Sequence, residues 1–426
     1  MRKINLIFLT VLTIVMLILV AQLLPRQVVN SAKNIVEHYI PMSKIDAINI
    51  RQIITADSTN SRTIMWQSDI TEATAFVEYR VKGTNQISSD MTANTEFTDD
   101  KITTYQHSVT LKNLTPDTKY EYRIGYNEKR SDWNDFATAG LGPFKAIIFP
   151  DSQSNDYSVW ENTAQSAKKA NPDAAFFVNI GDLVDNGEDH TQWQAWFDGL
   201  HGIIDKIPIA PILGNHETYD LNWKTRMPKA YLNLFPLPAN GNPDRQNQYY
   251  SFDFGDVHFI VLNTQMLEMD QFQPDLLKTE AEWFENDIVN TNKKWKIVLM
   301  HKDVLTYANN KRNDRQSGIS DIGQAFMPLF DQYGIDAVLT AHLHTYRRRG
   351  NLYNFRPDSR GPLYIITGVA GDVRYPDLWE THPFDAVIAP QPETDNYMTV
   401  EAASDTLRFT SFLPSGKQID TVEIKK

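Results

Sequence analysis

The sequence predicts an α/β protein in two parts: a small β-sandwich, then a domain of buried strands alternating with helices. Three observations carry this. Between Ile48 and Thr138, short segments of alternating polarity are separated by turn formers. After "TAGLGPFKA" come six apolar runs, each stopping at Asp, Asn or His: "KAIIFPDSQ", "AAFFVNIGDLVD", "IPIAPILGNHE", "VHFIVLNT", "WKIVLMHKD" and "IDAVLTAHLH". Helix-like stretches such as "SVWENTAQSAKKAN" and "TEAEWFENDIVNTN" lie between them. Fully apolar strands alternating with helices imply sheet buried on both faces, with ligands beyond the carboxyl ends of the strands.

In chain order, residues 1–25 read as a membrane anchor or signal segment. Arg2 and Lys3 precede the apolar run Ile4–Leu24, long enough as a helix to cross a hydrocarbon core of roughly 30 Å. The basic residues lie before it, so the remainder is expected outside the cytoplasm. An uncleaved anchor is the expectation, and secretion after signal cleavage is the alternative. Residues 26–45 read as a linker and 46–139 as the sandwich, with strands in "RTIMWQSD", "TAFVEYRVKG", "YQHSVTLKNL" and "KYEYRIGY". In "LTPDTKYEYRI", Leu114, Pro116, Thr118, Tyr120 and Tyr122 alternate, which resembles the tyrosine corner of a fibronectin type III sandwich. Trp66, Tyr79, Tyr120 and Tyr122 are read as core. Residues 140–426 form the α/β part and close with the hairpins of "YMTVEAASDTLRFTSFLPSGKQIDTVEI".

The chain has 426 residues and a formal net charge of −12. That charge argues against nucleic-acid binding, although a bound metal or a local arginine cluster can still hold an anionic substrate. Cysteine is absent, which excludes disulfides and thiolate-ligated zinc.

The strand ends present Asp151 and Gln153, Asp182 and Asp185, Asn215 and His216, His301, and His342 with His344. Oxygen and imidazole donors without thiolate suit Mn, Fe or Zn. One carboxylate, best Asp182, can bridge two divalent ions of the kind that clamp a phosphoryl displacement. Each residue also has a plainer reading: a strand-end aspartate caps turns, and a buried histidine can be a satisfied core residue. Asp185 either orients His216 or caps a turn. His258 is read as a strand residue, and His38, His107, His190, His201 and His382 as surface or structural. Arg347, Arg348 and Arg349 read either as a solvated face or as a contact to phosphate, and Tyr346 either as packing or as pocket lining.

Five ordered blocks resemble the calcineurin-like metallophosphoesterases, in the purple acid phosphatase-like branch. They are Asp151-Ser-Gln153, Gly181-Asp182-Leu-Val-Asp185, Gly214-Asn215-His216-Glu217, Val298-Leu-Met-His301 and Ala341-His342-Leu-His344. "YYSFDFGDVHFIVLNT" and the sandwich ahead of the α/β part are similar to that branch too. The resemblance implies a double β-sheet sandwich flanked by helices and two divalent metal ions. It makes Asp151, Asp182 and His344 ligands of the first ion. Asp182, Asn215, His301 and His342 become ligands of the second, with Asp182 bridging. Gln153 stands where the family has glycine or histidine and is a further candidate ligand. The resemblance makes His216 the general acid over the leaving group, with a metal-bound hydroxide as nucleophile, and Glu217 a support for the site. Asp185 stands where purple enzymes carry the tyrosine whose phenolate on ferric iron gives the colour. A colourless site loaded with divalent Mn, Fe or Zn is therefore expected. Ala341 replaces a glycine.

The implied function is hydrolysis of small phosphate esters, most readily phosphomonoesters. Phosphodiesters, including cyclic nucleotides, are the enzymatic alternative. A cell-surface binding protein that works through its β-sandwich is the non-enzyme alternative.

Overall fold

The computed structural model describes residues 45–69, 74–311, 315–389 and 395–426. The segment Ile4–Leu24, read above as an anchor or signal, lies outside them. Among the described residues no helix is long and apolar enough to cross a membrane. Residues Asp46–Lys426 form one compact unit.

The sandwich has two facing layers. Ile48–Ile53, Arg62–Ser68, Ile102–Leu111 and Ala93–Asp99 form one; Ser88–Met91, Ala75–Val81, Lys119–Tyr126 and Lys129–Arg130 form the other, with Asn134–Ala137 paired to Lys119–Tyr126. Alternate residues of Lys119–Tyr126 point inward, and Tyr120 stacks on Phe136 at 5.0 Å. The Tyr120 hydroxyl accepts a 2.8 Å hydrogen bond from the Thr115 N–H, pinning the turn that precedes its own strand. Trp66, Tyr120 and Tyr122 are buried, whereas Tyr79, also expected in the core, is only half-buried.

The first sandwich layer does not end at the sandwich. Ile48–Ile53 pairs in parallel with Ile209–Pro211, placing Ile53 opposite Ile209. One ten-stranded sheet therefore runs from the C-terminal hairpin through Phe144–Phe149, Phe176–Asn179 and Ile209–Pro211 into the sandwich. Gln52 Nε2 donates to the Asp205 carbonyl at 2.7 Å, and the Tyr122 hydroxyl donates to the same oxygen at 2.8 Å.

A second sheet of eight strands lies against the first. Val257–Leu262, Trp295–Met300, Ala337–Thr340 and Leu363–Thr367 are parallel within it. Strand alternation explains the apolar runs. Phe176 faces Phe252, Phe254 and Phe259 of the second sheet, with ring centroids 4.7 to 5.7 Å apart. On the opposite face, Phe149 and Phe177 meet each other and Phe149 meets Trp160 of the helix Tyr157–Ala170. That helix starts where Asp156 accepts from the Ser158 N–H, and it buries Tyr157, Trp160, Thr163, Ala164 and Ala167 at helical spacing. Its Trp160 stacks on Trp196 of the helix His190–Gly199. On the second sheet, Leu276–Asn290 packs against Asp321–Tyr333 through Phe284 and Phe330. Each sheet thus has a sheet on one face and helices on the other. The parallel strands of both bring their carboxyl ends together at the site.

His258 is a structural strand residue. Nδ1 lies 2.7 Å from Asp253 Oδ1, and Nε2 lies 2.8 Å from Asp287 Oδ2. Burial works against its charge, but the two carboxylates outweigh burial and raise its pKa to about 9.

Two outcomes are expected. The unfolded histidine titrates near ~6.5, so the stabilisation from this bridge is complete below that pH and is lost as pH rises through about 9. The melting temperature of the wild type, followed from pH 6 to 10, should fall more steeply than that of His258→Gln. The fragment 140–426 leaves the Ile209–Pro211 edge open. It should aggregate in size-exclusion chromatography under conditions where 46–426 stays dispersed.

Candidate metal centre

Gly181 and Gly214 permit a close approach between two loops of the site. A Cβ on Gly181 would meet the His301 imidazole, and a Cβ on Gly214 would meet the backbone nitrogen and carboxylate of Asp182. The loop after Phe176–Asn179 therefore nests against the loop after Ile209–Pro211. Gly181 has φ +77° and Asp182 φ +46°, a turn that swings the carboxylate back across the strand ends.

Glu217 locks these loops together. Its Oε2 accepts from Gly214 N–H at 2.8 Å and Asp182 N–H at 3.0 Å. Its Oε1 accepts from Leu183 N–H at 2.8 Å and Val184 N–H at 3.3 Å. Burial and the neighbouring Asp182 charge raise its pKa to about 7, against the pull of these donors. Asp151, at the end of Phe144–Phe149, accepts the His342 N–H at 2.8 Å through Oδ2. A central strand of one sheet is thereby tied to the loop that follows Ala337–Thr340 of the other.

Two donor clusters result. Asp182, His301 and His342 form one, and Asp151, Asp182 and His344 the other; within each, the ligand atoms all lie within 4.8 Å of one another. Asp182 belongs to both. Its Oδ2 lies 3.1 Å from His301 Nε2, and Asn215 Oδ1 lies 3.2 Å from the same nitrogen. His344 Nε2 lies 3.5 Å from Asp151 Oδ1. Backbone carbonyls fix the rings. His301 Nδ1 donates to Ile180 O at 2.8 Å and His344 Nδ1 to Val373 O at 2.6 Å, which leaves each Nε2 to face the cluster.

Burial lowers the proton affinity of His301, but Asp182 and Asp151 outweigh it and raise its pKa to about 9. Burial also opposes charge on Asp182, yet His301 and His216 hold its carboxyl well below the usual carboxylate range. Burial pushes Asp151 well up, His344 down to about 4, and His342 well down. His342 and His344 are therefore neutral at pH 7, the form that ligates metal.

Gln153 supplies the test of whether a cation fits. Its Oε1 and Nε2 are both buried without a hydrogen-bond partner, and the residue has no exposed surface. Such an amide is costly unless a donor or a cation meets its oxygen. Two carboxylates, three imidazoles and the amide oxygens of Gln153 and Asn215 form a donor set that suits hard or borderline divalent ions.

His216 lies outside both clusters. Its Nε2 is 3.9 Å from Asp182 Oδ2, and its Nδ1 is 2.6 Å from the Asp185 carbonyl. The Asp185 carboxylate is 3.6 Å away, so the main chain of Asp185 makes the closer contact.

Two further sequence candidates turn away from the site. The Tyr346 hydroxyl donates to Asp420 at 2.9 Å. Arg347 is buried, pairs with Asp385 at 2.7 Å and donates to the carbonyls of Trp379 and Glu380. Neither the pocket role for Tyr346 nor the phosphate contact for Arg347 holds. The reading of Arg347–Arg349 as a solvated face fails as well. Along the strand Tyr346–Tyr353, Tyr346 and Arg348 reach Asp420 on one side, while Arg347 and Arg349 reach Asp385 and Asp303 on the other. The sequence reading missed Tyr375, which packs on His344 at 4.7 Å, and Trp223, which packs on His216 at 5.9 Å. Neither falls in a motif block; Trp223 does lie in the aromatic, Pro- and Asn-rich stretch Tyr219–Tyr249.

This double sheet carries, at its strand ends, a carboxylate shared by two donor clusters. Residues 144–346 match the calcineurin-like phosphoesterase family, and residues 48–138 match the purple acid phosphatase N-terminal domain. The chain thus combines a purple acid phosphatase N-terminal domain with a calcineurin-like phosphoesterase domain. Purple acid phosphatase 23 of Arabidopsis thaliana is 25% identical over 302 residues, 64% of this chain and 64% of that protein. The chain thus spans just under two-thirds of that relative. Acid phosphatase type 7 of Mus musculus is 26% identical over 315 residues, 66% of this chain and 68% of that protein. The solved purple acid phosphatase PPD1 from yellow lupin seeds superposes with a TM-score of 0.73 at 18% identity, covering 89% of this chain and 74% of that one. PhoD superposes at 0.63 and 12% identity, covering 91% and 92%. These two likenesses concern the fold.

Glu217→Gln keeps the shape but replaces one acceptor oxygen with a donor facing backbone N–H groups. It should lower the melting temperature and weaken Mn2+ or Zn2+ binding by roughly 10- to 100-fold, as read by calorimetry.

Proposed function

We propose that the chain hydrolyses phosphomonoesters at a binuclear centre. The observation that carries this is the pair of donor clusters sharing Asp182, with His216 beside them and in neither. Asp151, Gln153, Asp182 and His344 would hold one divalent ion, and Asp182, Asn215, His301 and His342 the other; Mn, Fe and Zn all suit the donors. When bound, the two ions would activate water and neutralise charge on the phosphoryl oxygens.

The chain's own residues do the rest. Asp185 holds Nδ1 of His216 through its carbonyl, which aims Nε2 toward the shared carboxylate. There it delivers a proton to the departing ester oxygen as the P–O bond breaks and water oxygen joins phosphorus. The Asp182 and Asp185 carboxylates flank the imidazolium that carries this proton. Glu217 keeps Asp182 and Asn215 in register without facing substrate. The acid phosphatase names of the relatives support monoesters over diesters. Arg2 and Lys3 ahead of Ile4–Leu24 support a site outside the cytoplasm, anchored or secreted.

Metal content and kinetics on a panel of mono- and diesters with Mn, Fe or Zn test this reading. Asp182→Asn should lose metal and activity together. His216→Ala should keep two ions per chain while kcat falls by roughly 10²–10⁴. The loss should be smallest for nitrophenyl phosphate, whose leaving group needs little protonation. Two ions and normal turnover in Asp182→Asn would overturn the assignment.

A further inference from the structure

Trp223 breaks two rules at once. It holds a left-handed backbone, φ +60°, which is unfavourable for a bulky L residue. Its side chain is also 56% exposed, so core packing does not hold it there. Strain of this kind persists where the surroundings over-determine it, and it clusters at functional sites.

The surroundings here are specific. Asp220 Oδ1 accepts from the N–H groups of Asn222 and Lys224, at 2.8 and 2.9 Å. The Trp223 N–H donates to Asp220 O at 2.8 Å, and that oxygen also accepts from Asn186 Nδ2 at 2.7 Å. Glu188 Oε2 accepts the Leu221 N–H. Arg226 closes the loop, pairing with Glu188 at 3.0 Å and, bidentately, with Asp99 from the tip of a sandwich hairpin.

The strained residue faces chemistry. The indole and the His216 imidazole are perpendicular, with centroids 5.9 Å apart. Tyr219 meets the same imidazole at 5.7 Å and 90°, and lies 5.9 Å from Trp223. Two aromatic rings thus wall the side of His216, and the larger presents more than half its surface to solvent.

We propose that Trp223, with Tyr219, forms the leaving-group subsite and selects phosphate esters of planar aromatic alcohols. This rests on the reading of His216 as the group that protonates the leaving oxygen. In an aryl ester that oxygen is bonded directly to the ring, so a ring at the His216 position lies within reach of the indole. A small alkyl ester lacks the flat face that the indole can cover.

The test uses the full metal-loaded chain and its Trp223→Ala, Trp223→Phe and Trp223→Asn variants. Substrates are 2-naphthyl phosphate, phenyl phosphate and glycerol 3-phosphate. Trp223→Ala should raise KM for the aryl esters about three- to tenfold, the range for an aromatic pair. Its kcat should stay unchanged, and KM for glycerol phosphate should stay within about twofold, as expected for loss of uniform binding. Trp223→Phe should restore most of the aryl preference. Trp223→Asn, which tolerates the left-handed backbone, should lose the preference while keeping or raising the melting temperature. Equal shifts for aryl and alkyl esters, or a clear fall in melting temperature, would make the ring structural and overturn the proposal. Calorimetric binding of phenylphosphonate against methylphosphonate gives an arm that needs no turnover. A preference for phenylphosphonate lost in Trp223→Ala supports the subsite even if no ester is hydrolysed, an outcome that would sink the hydrolase reading alone. Absence of that preference in the wild type overturns the subsite alone.

Discussion

Asp182 is the residue on which the arrangement depends. A carboxylate with 1% of its surface exposed must have its charge answered locally. His301 answers it at 3.1 Å, and the His216 N–H answers it from the main chain at 2.9 Å. These contacts commit three loops to one geometry. The Ile180 carbonyl sets His301, Glu217 sets the backbone of Asp182, and Gly181 and Gly214 give the room. Asp151 then enters through the His342 N–H, so both sheets contribute to one cluster.

The continuous ten-stranded sheet gives the sandwich a role beyond attachment. Its inner layer extends the same sheet that presents Asp151, Asp182 and Asn215. Its hairpin tip reaches the rim as well. Asp99 holds Arg226, and Asp100 Oδ2 accepts the His190 N–H at the start of a helix. Arg226 and Asp99 are 13% and 12% exposed, so this pair is sheltered from the screening that weakens surface ion pairs. The loop beside His216 is therefore braced from both parts of the chain.

Much of this was legible in the sequence, for a physical reason. The candidate ligands follow apolar runs, so the ends of their strands show as abrupt changes of polarity. The blocks around Asp151, Asp182, Asn215, His301 and His344 marked strand ends correctly, and the structure gathers their side chains. What the sequence did not disclose depends on contacts distant along the chain. The pairing of Ile53 with Ile209 leaves no local pattern, since an edge strand and a shared strand read alike. Arg347 resembled a surface charge because its partner, Asp385, lies 38 residues away. Tyr375 resembled a loop residue because only the His344 ring makes it part of the site.

Local rules fail where the site lies. Asp182, His342, His344 and Trp223 all hold left-handed backbones, though none is a glycine. For the three candidate ligands the reason is direct: a residue that must turn back across the end of its own strand cannot keep extended geometry. Asn would adopt that backbone more easily than histidine, but its side chain is shorter and its donor chemistry different. The same reasoning separates the glycines. Gly181 combines a positive φ with steric need, whereas Gly214 is fixed by crowding against Asp182 and Glu217. Strain, close approach and buried charge therefore occur together at one end of the two sheets. A site assembled this way tolerates exchange at its rim more readily than at Glu217 or Gly214. Glu217 and Gly214 set the spacing between the loops that carry Asp182 and Asn215.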